Sequence, residues 1–272
     1  TLRLLGPDGT PWDELQTGLQ ADDLSVGRLP EGVGPWQLNR PTPATANLPL
    51  TTSPPEVLRI NEWMASPATG DDWLELHNPA ADPVALGGLI LTDRASPPFT
   101  HRPIPPLSFI APRGFIQFFA SDLRRTDADH LPFRLGAGGE TLSLVAGDAA
   151  TVLDRVTFGN QAPNTSEGRA PDGATTIIRF PTGQATPGAA NVRELTRVVI
   201  SEILSHTDPP YEDAVELQNV SPETVDLSLW GVSDDADTPF KYRHRRRHPA
   251  RRRPRGSQPR TRVRRVARDG HE

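Results

Sequence analysis

The chain has 272 residues, enough for one to three domains of ordinary size, and its 30 Pro and 22 Gly with only 35% hydrophobic residues point to a loop-rich β protein. It contains no cysteine, which excludes a disulfide framework, a thiolate zinc site and a cysteine nucleophile. The formal charge of −5 conceals two opposed segments: from Lys241 onward 13 Arg and one Lys face only Asp269 and Glu272, about +12, which leaves about −17 for the body.

Taken in chain order, the first residues (Thr1-Leu2-Arg3-Leu4-Leu5-Gly6-Pro7) have no signal-peptide layout and no initiator Met, so the start reads as an interior point of a longer protein. No apolar run reaches the roughly 18 residues of a membrane-spanning helix. Residues 1–48 read as the closing part of a repeat. Asp13, Gly18, Gln20, Ser25, Gly27, Arg28, Pro30 and Gly32 recur as Asp154, Gly159, Gln161, Ser166, Gly168, Arg169, Pro171 and Gly173, always 141 residues later. Residues 49–56 read as a stiff, Pro-rich linker. Residues 57–192 form one complete copy, and residues 197–240 match only a beginning: Asp72, Glu75, Leu76, Asn78, Val84, Leu86 and Asp93 recur at the same spacing as Asp213, Glu216, Leu217, Asn219, Val225, Leu227 and Asp234. A period this long matches a whole domain, not a solenoid repeat. Residues 241–272 are an Arg-rich tail.

Within the complete copy, short apolar or alternating runs lie between Gly, Pro, Asn and Asp clusters, the pattern of an all-β sandwich or barrel. The predicted strands are Val57–Met64, Trp73–His77, Leu86–Leu91, Phe115–Ala120, Leu131–Leu135, Thr141–Val145, Val152–Phe158 and Thr175–Phe180. Gly87-Gly88, Gly136 to Gly139 and Pro171-Asp172-Gly173 read as turns that need positive φ. The Gly136 run lacks a following Lys-Ser/Thr and a helix signal, so it is read as a hairpin turn and not a phosphate cradle.

These motifs resemble the bacterial lamin-tail domain. Arg59-Ile60-Asn61-Glu62-Trp63-Met64-Ala65, Asp72-Trp73-Leu74-Glu75-Leu76-His77-Asn78 and Leu86-Gly87-Gly88-Leu89-Ile90-Leu91-Thr92-Asp93 are similar to that family's first three strands. Gly138 to Leu144, Asp154 to Gly159, Ser166 to Arg169 and Thr186 to Asn191 are similar to its closing half. The resemblance covers about residues 1–240. It implies an immunoglobulin-like β-sandwich in tandem copies without a known active site, repeated in large exported bacterial proteins, often beside spore-coat-kinase-like, nuclease or other hydrolase domains. Eukaryotic relatives bind protein and nucleic acid, but no residue-by-residue binding motif carries over.

Each polar cluster has a structural reading that outweighs the chemical one. Glu75 and Asn78, with copies Glu216 and Asn219, end an apolar strand. Asn78 before Pro79 is a turn former, and Glu75 is expected to accept backbone hydrogen bonds. Asp71-Asp72, Glu212-Asp213 and Asp234-Asp235-Asp237 offer hard oxygen ligands for calcium, but no Asp-x-Asp-x-Asp-Gly loop is present. Ser25 to Arg28 and Ser166 to Arg169 read as a repeated turn, with no Gly-x-Ser-x-Gly elbow and with Arg169 bonding carbonyls or Asp154. His77, His101, His130, His206, His244, His248 and His271 show no metal spacing, and the replacement of His77 by Gln218 in the next copy points to a solvent-facing strand position. Trp12, Trp36, Trp63, Trp73 and Trp230 are read as core packing in preference to a saccharide platform. No catalytic, cofactor-binding or metal-binding residue is assigned.

Arg245-Arg246-Arg247 and Arg251-Arg252-Arg253 have the composition of a disordered polyanion-binding arm. The abrupt loss of strand pattern after Phe240 favours a reading-frame shift over a genuine arm. The acidic body makes nucleic-acid binding by residues 1–240 unfavourable, and the third copy is expected to leave exposed edges. The resulting expectation is a non-catalytic interaction or spacer module of a secreted or cell-surface protein, with a protein or polysaccharide partner and no cofactor. The alternatives are accessory domains of an exported enzyme whose catalytic part lies elsewhere, and a carbohydrate-binding module.

Overall fold

A computed structural model describes residues 1–123, 125–192, 198–205, 208, 213–221, 224–228, 230–235, 238, 240–243 and 260–264. Strands dominate it. The N-terminal strands are β1 (Leu2–Leu5), β2 (Pro11–Leu15), β3 (Ser25–Arg28), β4 (Trp36–Arg40) and β5 (Leu48–Pro49). The central strands are β6 (Arg59–Met64), β7 (Asp72–His77), β8 (Val84–Ala85), β9 (Ile90–Thr92), β10 (Phe109–Ile110), β11 (Phe115–Ala120), β12 (His130–Leu131), β13 (Thr141–Val145), β14 (Val152–Thr157), β15 (Ser166–Arg169) and β16 (Ile177–Phe180). The C-terminal strands are β17 (Val198–Leu204), β18 (Ala214–Asn219), β19 (Gly231–Val232), β20 (Tyr242–Arg243) and β21 (Arg260–Arg264). Among the described residues one 3₁₀ turn is present, over Pro55–Val57.

The chain divides into two compact units, Thr1–Arg193 and Glu194–Glu272. In the first, a six-stranded sheet ordered β12-β11-β7-β6-β15-β16 supplies Ile60, Trp63, Leu74, Leu76 and Phe118 to one apolar core. A three-stranded sheet, β14-β13-β9, supplies Leu91, Leu142, Leu144 and Val156 to the same core. Two sheets sharing one core of alternating residues make this an all-β sandwich.

A β-bulge in β6 decides which side chains face that core. Ile60 pairs with Leu76 and Glu62 with Glu75, so Asn61 is the extra residue. The insertion keeps both Ile60 and Trp63 in the core while Asn61 and Glu62 share the opposite face with Glu75. The β13–β14 ladder has a comparable irregularity, with Leu144 opposite Asp154 and Val145 opposite Val152.

Residues 1–48 and 57–192, set apart by sequence, lie in one compact unit. Leu19 packs on the central core, and its carbonyl accepts from Phe109 N at 2.8 Å. Residues 49–56 are extended but bonded: β5 pairs with β4, and Ser53 N donates to Pro83 O at 2.8 Å.

Several strands differ from expectation. The run Leu86–Leu91 is split, because Leu89 N turns back to Leu86 O at 3.0 Å and Gly88 takes φ 89, which confines pairing to β8 and β9. Only Leu131 of Leu131–Leu135 joins a ladder. The two Ser-x-Gly-Arg segments are strands β3 and β15, not turns. A Cβ on Gly168 would lie 2.7 Å from Asn61 O and 3.1 Å from Glu62 Cγ, so the glycine serves close strand approach. His77 is buried, not solvent-facing, because β11 covers it. Its ring stacks on Phe115 at 4.3 Å, and its Nδ1 lies 3.1 Å from Gly114 O.

In the second unit β17 pairs with β18, β18 with β21, and β19 with β20. The tail was expected to be disordered, yet two short segments of it form strands. Arg260-Thr261-Arg262-Val263-Arg264 alternates like a strand and lies against β18. Arg245 to Arg247 and Arg251 to Arg253 lie outside the described residues.

Candidate functional site: a buried polar clamp

The polar face of β6 and β7 is roofed by the chain segment from Thr186 to Asn191, and the groups between them bond one another. Glu75 is wholly buried. Its Oε1 accepts from Asn61 Nδ2 at 3.2 Å and its Oε2 from Gly188 N at 2.6 Å. Glu62, also wholly buried, accepts from Ser166 Oγ at 2.5 Å and from Thr186 N at 3.1 Å. Asn61 Nδ2 donates to Asp172 Oδ1 at 2.9 Å, and its Oδ1 accepts from Gly173 N at 3.0 Å. Asn191 closes the set: its N donates to Asp172 Oδ1 at 2.9 Å, and its Nδ2 to Arg169 O at 2.8 Å and Asn61 O at 3.2 Å.

Arg169 forms the second arm. Its Nε donates to Ile60 O at 2.8 Å, its Nη1 to Ala174 O at 2.6 Å and its Nη2 to both carboxylate oxygens of Asp154, at 3.1 and 3.2 Å. Asp154 Oδ2 also accepts from Ile60 N at 2.7 Å, so the bulged strand is held by both members of one ion pair.

Burial dominates the electrostatics. It pushes the Glu75 carboxyl from 4.5 up to about 8 against the opposing pull of Gly188 N and Asn61. Glu62 is raised for the same reason, against its bonds to Ser166 and Thr186. Thr186 Oγ1 lies 3.1 Å from Glu62 Oε2 and 2.9 Å from Asn191 Oδ1. A third acid, Glu140, is pushed up to about 7 by burial, and its Oε1 is buried with no hydrogen-bond partner among the described residues.

Of the residues singled out by sequence, Glu75, Asp154, Ser166 and Arg169 belong to this clamp, and the others scatter around it. Asn78 is buried outside it as an Asx turn: its Oδ1 accepts from Ala80 N at 3.0 Å and its Nδ2 donates to Asp82 O and Ala111 O, each at 2.9 Å. Asp72 Oδ2 accepts from Leu135 N at 3.0 Å, and Asp71 pairs with Arg125 at 3.1 Å. His101 bonds Thr92 Oγ1 at 2.8 Å, and buried His130 bonds Ser121 Oγ at 2.9 Å. His206, His244, His248, His271, Glu212 and Asp237 lie outside the described residues. Trp63 and Trp73 are core residues, whereas Trp12 is exposed and Trp36 lies 4.6 Å from the Arg28 guanidinium. Among the described residues no three His, Asp or Glu side chains are grouped to hold a metal ion.

Asn61, Glu62, Asp172, Thr186 and Asn191 had been read only as parts of strand, turn and boundary motifs. The available signal was Asn61-Glu62 itself, two adjacent polar residues between the core positions Ile60 and Trp63.

Residues 1–48 carry the same bonds in smaller number. Arg28 Nη2 donates to Asp13 Oδ1 at 2.9 Å, Asn47 Nδ2 to Arg28 O at 3.1 Å, and Asn47 N to Glu31 Oε1 at 2.6 Å. The β1–β2 ladder is irregular at the matching place, Leu4 opposite Asp13 and Leu5 opposite Pro11. At the other end, Ile200 pairs with Leu217 and Glu202 with Glu216, which leaves Ser201 as the extra residue. Ser201 Oγ donates to Glu216 Oε1 at 2.7 Å.

Searches of protein-family models, of curated proteins and of solved structures each return no match to this chain.

Proposed function

We propose that the chain is a non-catalytic interaction and spacer module, built from repeated immunoglobulin-like sandwiches of the lamin-tail type and belonging to a larger secreted or cell-surface bacterial protein. The observation that carries this reading is the clamp. Its buried acids spend their oxygens on donors of the same domain, and part of the bonding set recurs in residues 1–48. A polar device that joins strands and returns along the chain is what a scaffold of like units requires, and loops at the ends of such sandwiches are where partners bind.

Purified chain is incubated with chromogenic carboxylic-ester, phosphate-ester and glycoside substrates. The expected rate is that of buffer alone, and Glu75→Gln changes thermal stability without changing that rate. Turnover by the parent that disappears in Glu75→Gln overturns the reading and makes the buried carboxyl a catalytic acid.

A further inference from the structure

The turn Pro171-Asp172-Gly173 has to meet two demands. Gly173 sits at φ 69, where side-chain-bearing residues are strained, although a Cβ there would meet nothing closer than His77 Cδ2 at 3.7 Å. The backbone, not the space, asks for glycine. Asp172 is needed as an acceptor, since its Oδ1 takes Asn61 Nδ2 and Asn191 N, each at 2.9 Å. Together the two demands produce an Asp-Gly pair. In this dipeptide the backbone amide readily attacks the preceding carboxyl, because no Cβ shields the nitrogen.

Asn61 stands across that reaction. One side chain bonds both reacting groups, its Nδ2 on Asp172 Oδ1 and its Oδ1 on Gly173 N at 3.0 Å. Attack requires the Asp172 carboxyl to turn its carbon onto Gly173 N, which breaks both bonds and the one from Asn191 N. Asn61 is wholly buried and its Nδ2 also reaches Glu75 Oε1 at 3.2 Å, so it does not follow that turn. Asp172 is half-buried beside exposed Pro171, within reach of water. Residues 1–48 supply a comparison. Glu31-Gly32 stands at the matching place, Gly32 has φ 72, and Asn47 N donates to Glu31 Oε1 at 2.6 Å as Asn191 N does to Asp172. The extra methylene keeps the bond but disfavours the reaction, because closure onto Gly32 N would need a larger ring.

We infer that Asp172-Gly173 is a modification site, at which the domain forms isoaspartate once Asn61 and the roof from Thr186 to Asn191 move away. Gly173 N attacks Asp172 Cγ and closes a succinimide, and one water leaves, made of the carboxyl hydroxyl and the amide hydrogen. Water then adds to the ring carbonyl that was the Asp172 backbone carbon and breaks its bond to Gly173 N. The chain now runs through the former side chain, with no net change of mass. The new carboxylate hangs directly from Cα on a backbone one methylene longer, so it no longer meets Asn61 and Asn191 together. An opening that would otherwise reverse is thereby made permanent. The inference goes beyond the interaction-module reading and holds whatever partner such a module binds.

The full chain is held in warm, mildly acidic buffer, and each Asp-Gly pair is followed by peptide mapping with a protease that cuts before aspartate but not before isoaspartate. Folded parent is expected to convert slowly at Asp172, urea-unfolded parent quickly, and Asn61→Ala about tenfold faster than folded parent. The Asp8-Gly9 turn, bonded to Thr10 and Gly6, is the reference and keeps one rate in every folded chain. Asn191→Ala, which retains Asn61 and the backbone donor, falls between parent and Asn61→Ala and carries the comparison if Asn61→Ala does not melt cooperatively. In Asp172→Glu conversion at this site stops. Aged parent melts at a lower temperature than fresh parent, and aged Asp172→Glu does not. Equal rates at Asp172 in folded parent and folded variants, a folded parent that converts as fast as the unfolded chain, or a converted parent that melts unchanged overturns the inference.

Discussion

Arg169 and Arg28 make the same kinds of bond in different surroundings. Each reaches a strand-borne aspartate and a turn carbonyl, and each has a following asparagine on its own carbonyl. Around Arg169 the opening hairpin is in place: the Arg169 and Asp154 side chains are 8% and 12% exposed, and the guanidinium adds a bond to Ile60 O. Around Arg28 no such hairpin exists among the described residues, and the Arg28 and Asp13 side chains are 26% and 49% exposed. The local sequence therefore writes the bonds, while the neighbouring strands decide what the bonds are worth, because water screens one pair and is excluded from the other.

That difference is largest for the arginines themselves. Arg169→Ala strands Asp154 in the interior and is expected to cost about 3–5 kcal/mol. Arg28→Ala removes a solvent-screened pair and costs less than about 1 kcal/mol. Urea denaturation of both variants reads the contrast, and equal losses would break it. The leucines come next: Leu144→Ala empties a fully packed site and costs about 3 kcal/mol, whereas Leu4→Ala, at an exposed position, stays within about 0.5 kcal/mol of the parent. Calorimetric melting temperatures separate the two.

The last effect is the pH dependence that Glu75 gives the complete clamp. Burial raises the Glu75 carboxyl in the folded state to about 8, so the fold favours the protonated form. The contribution of this group to stability is full below its ordinary 4.5 and is lost as the pH climbs through about 8. Relative to Glu75→Gln, which faces the same two donors without titrating, the parent loses stability between about pH 5 and pH 8. Parallel urea titrations at the two pH values measure this, and parallel slopes for parent and variant would show that Glu75 is ionised throughout.

Strands with a full period-two pattern were legible in the sequence. Phe115–Ala120 and Thr141–Val145 fall where alternation places them, with the same bounds. Two-residue ladders such as Val84–Ala85 and Phe109–Ile110 were not, since a pair of residues has no period. The strand Ser166–Arg169 was misread because its glycine suggests a bend, when the absent side chain instead makes room for Glu62. Asn78 was read correctly because an Asx turn depends on residues two apart. The Arg169 bonds to carbonyls and to Asp154 and the backbone bond to Glu75 were expected as well, but the rest of the clamp was not, because Thr186, Gly188 and Asn191 are brought to β6 and β7 only by the sheet order, from more than a hundred residues away.

Thr186 and Asn191 reach back 124 and 130 residues to β6, and this separation sets an order of events during synthesis. The β6–β7 hairpin leaves the ribosome early, but its acids have no roof until almost the whole domain has been translated. A growing chain can assemble the apolar face first, while Glu62 and Glu75 remain hydrated on the other side. The last few residues then expel that water in one step. A nascent chain halted just short of Thr186 would thus be a sandwich without its latch, its two buried acids short of the donors that Thr186 and Gly188 supply.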